Sequence, residues 1–175
     1  ATNQLVHFAT SINKPYTSRW LFKDSTGNFK LVLKYEVEKN EAIIVKTALS
    51  SVSSAGAKAN MEAEMNHWDF NKVVNESMFA WEKKLEKIKI YTKDQNTLNN
   101  FYTALYHCYI HPSILNDVDG QYLGRDGKVH KVNWDGNYYT VFSLWDTYRA
   151  QHPLLNILEP EISGDFMHTF LAQAE

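Results

Sequence analysis

The spacing of apolar residues changes once along this chain, and that change restricts the fold more than any other feature of the sequence. Between residues 29 and 37, apolar side chains occupy every second position, namely Phe29, Leu31, Leu33, Tyr35 and Val37. Alternation of this kind is typical of a strand with one face toward water. From residue 70 to residue 88 the apolar positions recur every three or four residues, as in an amphipathic helix. The sequence therefore predicts a mixed fold in which strands come first and helices follow.

The strands of the first third are too few to make a finished sheet. Residues 20–22 are the predicted partner of the alternating segment, and the polar residues 24–28 between them form a turn in which Gly27 takes a positive φ. Further strands are predicted near residues 5–8 and 42–49. Three or four strands alone leave exposed edges. We therefore expect this part of the chain to be the end of a larger β domain.

Helical patterns follow. The stripe at residues 70–88 predicts a connector helix, whose glutamates and lysines form a solvated face rather than a catalytic carboxylate pair. A second helix is expected to have Thr97 as its N-cap and to stop at Pro112. His107 and His111 lie four residues apart on it, but the glutamate of a zinc-binding helix is absent, which favours structural roles for both.

The end of the chain predicts two more helices. One should start near Ser143 and run toward Glu159, with a break or kink at Pro153. The other begins at Pro160, because proline is favoured in the first turn of a helix.

Composition narrows the classes of partner. The chain is 44% hydrophobic and 22% charged, which is typical of a globular protein. The net charge of −2 and the lack of a basic run argue against nucleic acid as a partner. No apolar run approaches the roughly 20 residues that cross a bilayer. The single cysteine, Cys108, has apolar flanks and is expected to be a buried structural thiol.

The main candidate for a binding site is the segment YTVFSLWDTYRAQHP at residues 139–153. Trp145 offers an aromatic face for a sugar ring, Asp146 a carboxylate for hydroxyl groups, and Arg149 a cation that can pair with Asp146 on one helix face. Taken alone, these residues also fit a packed tryptophan beside a surface ion pair.

A second candidate is the aspartate–glycine loop LNDVDGQYLGRDG at residues 115–127. Asp117 or Asp119 in this loop can present a carboxylate to a sugar or to a cation. The spacing does not fit an EF-hand, because the required glycine and closing glutamate do not both fall at their positions. The alternative is a loop in which the aspartates accept hydrogen bonds from backbone amides.

Several separated segments then combine into one pattern. In chain order they are SSVSSAGAKANMEAE at residues 50–64, WDFNKVVNESMFAWEKKLEKIKI at 68–90, FYTALYHCYIHPSI at 101–114, DVDGQY at 117–122, YTVFSLWDTYRA at 139–150 and HPLL at 152–155. In this order they resemble glycoside hydrolase family 92, the calcium-dependent, exo-acting α-mannosidases.

The resemblance implies a domain organisation. Residues 1–52 would be the C-terminal part of an N-terminal antiparallel β-sandwich, residues 53–92 linker helices, and residues 93–175 the start of an incomplete (α/α)6 catalytic barrel. The catalytic acid, the base and most calcium ligands of the family would lie beyond residue 175. We therefore assign no catalytic or metal-binding residue, and we expect residues 1–175 alone to hydrolyse nothing.

The resemblance also implies a function. It is the removal of terminal mannose from glycans with inversion, with Trp145 and Asp146 contacting the mannose and calcium helping to distort the sugar. The implied partners are a mannose-containing glycan and the remainder of the same polypeptide, and the implied location is the periplasm or the outside of a bacterial cell. Two alternatives stay open, a non-catalytic carbohydrate-binding module and a structural interaction domain.

Overall fold

The structure is a computed structural model of the 175-residue chain and describes residues 5–141 and 143–174. The outer ends of the predicted domains, at residues 1 and 175, and one position of the YTVFSLWDTYRA segment lie outside the described residues. The elements in chain order are β1 (His7–Ile12), β2 (Ser18–Lys23), β3 (Phe29–Lys34), β4 (Val45–Ser50), α1 (Ser54–Glu64), α2 (Phe70–Leu85), α3 (Gln95–Ile110), β5 (Gln121–Leu123), β6 (Val129–Lys131), α4 (Leu144–Thr147), α5 (Gln151–Leu158) and α6 (Pro160–Ala174). The predicted order of strands first and helices after is confirmed.

The strands form separate antiparallel pairs. β1 pairs with β4, and β2 pairs with β3 in a hairpin that aligns Trp20 with Val32. In the hairpin turn, Gly27 has a φ of 85° and Asp24 Oδ1 accepts hydrogen bonds from the Thr26 and Asn28 amides at 2.9 and 3.0 Å. The predicted hairpin is therefore confirmed, although β3 ends at Lys34 and leaves the last alternating positions outside the strand.

The β2–β3 hairpin carries apolar side chains that the described residues leave exposed. Leu21 and Phe29 are 66% and 69% exposed, and Trp20 on the opposite face from Leu21 is 52% exposed. A two-stranded pair of this kind is marginally stable alone. Both faces are therefore available for contact with further structure.

α1 packs against β1 and β4 and joins the strands to the helical part. Ser53 is its N-cap and accepts a hydrogen bond from the Gly56 amide at 2.9 Å. Ala57 and Met61 of α1 are buried. At the other end of the helix, Lys46 of β4 donates a hydrogen bond to the Met65 carbonyl at 2.7 Å. Both ends of α1 are thus held by polar contacts.

The start of α3 differs from the prediction. Asp94 is the N-cap, and its carboxylate accepts hydrogen bonds from the backbone amides of Asn96 and Thr97. The Thr97 hydroxyl donates to Asp94 Oδ2 at 2.6 Å, so the predicted N-cap lies in the first turn of the helix. A carboxylate has two oxygens with which to accept these hydrogen bonds, whereas a hydroxyl has one.

The predicted helix from Ser143 to Glu159 is wrong in one respect. It is divided into α4 and α5 by a turn at residues 148–150, upstream of the proline that was expected to break it. Pro153 lies in the first turn of α5, where its missing N–H has no helical partner to lose. α6 begins at Pro160 as predicted.

A small core holds the segment that precedes α4. Tyr139, Leu155 and Phe166 are buried together, and the rings of Tyr139 and Phe166 meet edge to face with centroids 4.8 Å apart. The Tyr139 amide donates to Thr169 Oγ1 at 3.1 Å, and Thr169 is 1% exposed. α5 and α6 therefore fix the base of the segment that carries Trp145.

Candidate functional site

The aspartate loop is built around a tight turn at residues 117–120. The Gly120 amide donates to the Asp117 carbonyl at 2.8 Å, and Gly120 has a φ of 84°, which glycine adopts at little cost. Asp119 is exposed on this turn. Its Oδ1 accepts from the Gln121 amide at 3.0 Å and its Oδ2 from the Gln121 side chain at 2.5 Å.

These contacts keep Asp119 charged. The hydrogen bond from the Gln121 amide is the largest cause that lowers the pKa of Asp119, and Lys131 acts in the same direction. Because each carboxylate oxygen can accept more than one hydrogen bond, Asp119 retains capacity for a further donor such as a sugar hydroxyl. Asp119 therefore has features of both interpretations of this loop. It accepts a hydrogen bond from a backbone amide, and it is also exposed, as a carboxylate that binds a ligand must be.

Asp117 lies in a different environment. It is 3% exposed, and its two carboxylate oxygens accept hydrogen bonds from the Ser50 hydroxyl at 2.7 Å and from the Asn60 side chain at 2.8 Å. A methyl group on Gly56 would overlap Asp117 Oδ2 and lie 2.9 Å from Ser50 Oγ. We call Ser50, Gly56, Asn60 and Asp117 the Asp117 clamp, because they join the end of β4, α1 and the aspartate loop.

The Trp145 segment faces outward. Trp145 is 85% exposed, and Asp146 beside it is exposed in the first turn of α4. An exposed tryptophan on a four-residue helix contributes little packing within the described residues. It instead offers a flat apolar face, to which a sugar ring can bind.

The predicted ion pair of Asp146 with Arg149 is wrong. Among the residues that the structure describes, these two side chains do not approach within ion-pair distance, because α4 ends at Thr147 and the helical spacing is not continued to Arg149. Arg149 Nε instead donates to the Tyr148 hydroxyl at 2.6 Å, and its guanidinium lies 5.3 Å from the centre of the Tyr148 ring.

The two predicted segments share a base but diverge from it. Ile114 forms an antiparallel bridge with Tyr139, flanked by hydrogen bonds from Leu115 to the Tyr138 carbonyl and from Thr140 to the Ser113 carbonyl, both 2.8 Å. Because the bridge is antiparallel, the chain leaves it toward the aspartate loop at one end and toward α4 at the other. The bridge between Ile114 and Tyr139 thus joins the bases of both segments, whereas the parts that carry Asp119 and Trp145 extend from it in opposite directions.

A cavity of about 310 Å³ lies beside the small core and was not predicted from the sequence. Trp81, Tyr109 and Phe166 are among its mostly apolar lining. Its buried carboxylate is Glu159, which is 7% exposed and has Oε1 2.9 Å from the Nζ atoms of both Lys84 and Lys87.

The charge state of this cavity follows from those contacts. Burial raises the pKa of Glu159, but hydrogen bonds from Lys87 and Lys84 outweigh it and the net pKa is lowered. Burial and the negative charge of Glu159 raise the pKa of Tyr109 to about 12. Glu159 is therefore an ion-paired carboxylate at neutral pH, which is unsuited to donate a proton as a general acid.

Within residues 5–141 and 143–174, no group of three or more His, Cys, Asp or Glu side chains could hold a metal ion. Asp126, the remaining aspartate of the loop, accepts from the Lys128 amide and from His130, each at 3.0 Å. Among the described residues, no cluster of three acidic side chains is therefore available to coordinate calcium.

None of the helices that the structure describes has the length and apolar character needed to span a membrane.

The sequence patterns did not predict that Ser50, Gly56 and Asn60 would lie next to Asp117 in the Asp117 clamp. They lie 57 to 67 residues before Asp117 in the chain, and short polar residues near a helix start are ordinarily read as caps. One signal was present, since Gly56 in the first turn of α1 is unfavourable for a helix unless something approaches it closely.

Comparisons with known proteins give one consistent result. Residues 56–175 match the model of the glycosyl hydrolase family 92 catalytic domain. The structure of the family GH92 α-mannosidase BT3965 from Bacteroides thetaiotaomicron matches with a TM-score of 0.87 and 34% sequence identity, over 96% of this chain and 24% of that one. Its complex with mannoimidazole matches with the same values. A search of curated proteins finds no match.

A more distant structure shares the fold. The GH92 family glycosyl hydrolase ccman5 matches with a TM-score of 0.82 at 19% identity, over 94% of this chain and 23% of that one. The strands followed by helices correspond to the N-terminal β domain and the start of the helical barrel in the α-mannosidase. This chain spans about a quarter of the length of these solved structures.

Proposed function

The chain belongs to glycoside hydrolase family 92, and from this we propose that it forms part of an exo-acting α-mannosidase that removes terminal mannose from glycans. The family match supports the hydrolysis of a glycosidic bond. The 34% identity to an α-mannosidase, which has also been solved with mannoimidazole, supports mannose as the sugar.

The observation that carries the proposal is the exposed pair of Trp145 and Asp146 on α4. Aromatic faces and carboxylates are the groups with which proteins bind sugar rings and hydroxyls. In this proposal Trp145 contacts the ring of the terminal mannose and Asp146 accepts a hydrogen bond from one of its hydroxyls. Arg149 contacts the same glycan from the turn after α4, and Asp119 contacts a more distant part of it from the aspartate loop.

The proposed mechanism is hydrolysis with inversion. One carboxylic acid protonates the leaving oxygen while a carboxylate activates water on the opposite face of the sugar, and the two lie roughly 6.5–9.5 Å apart. Neither buried carboxylate among the described residues suits these roles, because Asp117 is held by two hydrogen bonds and Glu159 by two lysines. We assign both catalytic groups to the remainder of the polypeptide.

Calcium belongs to the same proposal but not to these residues. Bound calcium would help distort the sugar toward the transition state, and its ligands would come from the remainder of the polypeptide. A periplasmic or extracellular location, where mannose-containing glycans are accessible, completes the proposal.

The test uses the full-length protein and release of mannose from an α-mannoside. Loss of one charge-assisted hydrogen bond of about 1.5–3 kcal/mol predicts that Asp146→Ala lowers kcat/KM roughly 10- to 150-fold. Glu76→Ala is the matched control, because Glu76 is an exposed carboxylate on α2 that pairs with Lys72. Equal activity of the two variants would contradict the assigned role of Asp146.

The chain of 175 residues is tested beside the full-length protein. We expect it to release no mannose, since the proposed acid and base lie elsewhere. A full-length protein that binds mannose without cleaving α-mannosides would replace the enzyme with a carbohydrate-binding module. Indifference to sugars would indicate an interaction domain.

A further inference from the structure

We infer that Asp117 is a positioning residue, which holds the Asp119 turn against β4 and α1 and so acts on the sugar through Asp119. The inference rests on the proposed function for its effect on catalysis. Its structural part stands on the contacts of the Asp117 clamp alone.

The Asp117 carboxylate is not available to a sugar. It is 3% exposed, and contact with a ligand would require it to give up the hydrogen bonds from Ser50 and Asn60. A buried carboxylate that loses its donors is strongly disfavoured. Asp117 therefore acts from within the protein, unlike the exposed Asp119 two residues later.

Ser50 requires an acceptor at position 117. Its hydroxyl oxygen already accepts hydrogen bonds from the amides of Val52 at 2.9 Å and Ser53 at 3.1 Å. Both lone pairs of the oxygen are thus engaged, and the hydroxyl proton is directed to Asp117. An asparagine at position 117 cannot satisfy both donors, because one of its two oxygen positions becomes an NH2 group.

Asn60 ties the turn to the strand. Its Nδ2 donates to Asp117 Oδ1 and to the Leu49 carbonyl at 2.9 Å, while its Oδ1 accepts from the Val118 amide at 2.9 Å. One side chain of α1 therefore contacts two consecutive residues of the turn and the end of β4. A second contact comes from Ser51 Oγ, which accepts from the Leu123 amide at 3.3 Å.

The position of Asp119 follows from these contacts through a short path. Asp119 lies inside the turn, whose ends are joined by the Gly120 amide to the Asp117 carbonyl and by the Asp117 amide to the Gln121 carbonyl at 2.7 Å. Displacement of Asp117 must therefore displace Asp119. The lack of a side chain at Gly56 leaves space for the Asp117 carboxylate at its observed position, because a methyl group there would overlap Asp117 Oδ2.

The first test is a double-mutant cycle on mannose release by the full-length protein, measured well below the thermal midpoint. Asp117→Asn and Asp119→Ala should each lower kcat/KM by roughly 10- to 100-fold, mainly through KM. The double variant should be no worse than Asp119→Ala alone, because Asp117 acts through Asp119. Multiplied losses in the double variant, or unchanged activity in either single variant, would overturn the inference.

The second test is independent of activity. Hydrogen exchange at the backbone amides of Val118, Gly120 and Gln121 should be at least tenfold faster in Asp117→Asn than in the wild-type protein. Unchanged exchange at these amides would overturn the positioning role. A wild-type protein that releases no mannose but shows this acceleration in the variant would refute the proposed function and uphold the positioning role.

Ser50→Ala provides a milder variant in case Asp117→Asn does not fold. It removes one donor to Asp117 and leaves the carboxylate in place. The same non-additivity with Asp119→Ala and the same faster exchange are expected, and their absence would overturn the inference in the same way.

Discussion

Two helical glycines of this chain should respond to alanine in opposite directions. Gly56 lies in the first turn of α1, and Gly164 lies within α6. Alanine is intrinsically favoured over glycine in a helix by about 0.5–1 kcal/mol, so propensity alone predicts that both substitutions stabilise the protein. The surroundings of the new methyl group decide the sign.

At Gly56 the methyl group would overlap Asp117 Oδ2 and lie 2.9 Å from Ser50 Oγ. Loss of the hydrogen bond between these two atoms costs about 1.5–3 kcal/mol, since the acceptor is charged and buried. Strain from overpacking adds about 1–3 kcal/mol. Less the gain of about 0.5–1 kcal/mol in helix propensity, Gly56→Ala should lower the free energy of unfolding by roughly 1.5–5.5 kcal/mol.

At Gly164 the methyl group would have no described atom within 4 Å apart from the backbone of its own helix. Gly164→Ala should therefore raise the free energy of unfolding by about 0.5–1 kcal/mol, and it serves as the matched control. Urea denaturation of the two variants, followed by tryptophan fluorescence, measures both values.

A third variant tests why Gly56→Ala should lower the stability of the protein. Asp117→Ala removes the atoms that the methyl group of Gly56→Ala would overlap. Adding Gly56→Ala to Asp117→Ala should therefore cost much less than Gly56→Ala costs alone. A Gly56→Ala protein as stable as the wild type, or full additivity with Asp117→Ala, would refute the packing described for the Asp117 clamp.

Three further predictions concern other elements. Asp94→Ala should lower the midpoint of thermal unfolding by roughly 2–4 °C. The effect should be larger than that of Thr97→Ala, because Asp94 accepts the hydrogen bonds from the Asn96 and Thr97 amides at the start of α3. Thermal unfolding of the two variants makes the comparison. Because the pKa of Glu159 is lowered in the folded protein, its ionised form stabilises the fold at pH values above the usual pKa of a glutamate. This stabilisation is lost as the pH falls through the lowered pKa. The free energy of unfolding, measured by denaturation across acidic pH, should therefore depend less on pH in Glu159→Gln than in the wild-type protein. Trp145→Ala should change the free energy of unfolding by less than about 0.5 kcal/mol, because the Trp145 side chain is 85% exposed. The same variant should bind mannose more weakly in calorimetry. A large loss of stability would contradict the outward position of Trp145.

The features that the sequence predicts well depend on residues close together in the chain. The β2–β3 hairpin follows from alternation on both sides of a turn with Gly27, and the start of α6 follows from Pro160. The break before α5 was misplaced because Pro153 was read as an interior residue. A proline in the first turn of a helix is tolerated, so its effect depends on where the helix begins.

The geometry of the candidate site could be predicted only in part, because some of its contacts join residues far apart in the chain. The exposed Trp145 and Asp146 could be named from a local segment, and the capping contacts of Asp119 from the aspartate–glycine pattern. Burial of Asp117 could not, since its partners come from β4 and α1, 57 to 67 residues earlier in the chain. No local pattern distinguishes an aspartate that faces a ligand from one that is buried by a distant strand.

The separation of 67 residues between Ser50 and Asp117 also determines when their hydrogen bond forms. Closing so long a loop costs conformational entropy, whereas the helices between the two residues form from local contacts. We therefore expect the bond to be absent from the folding transition state, with φ-values near zero at Ser50 and Asp117. Substitutions there should leave the folding rate nearly unchanged and accelerate unfolding. The Asp117 clamp thus governs how long the folded junction of strands and helices persists, rather than how quickly it is reached.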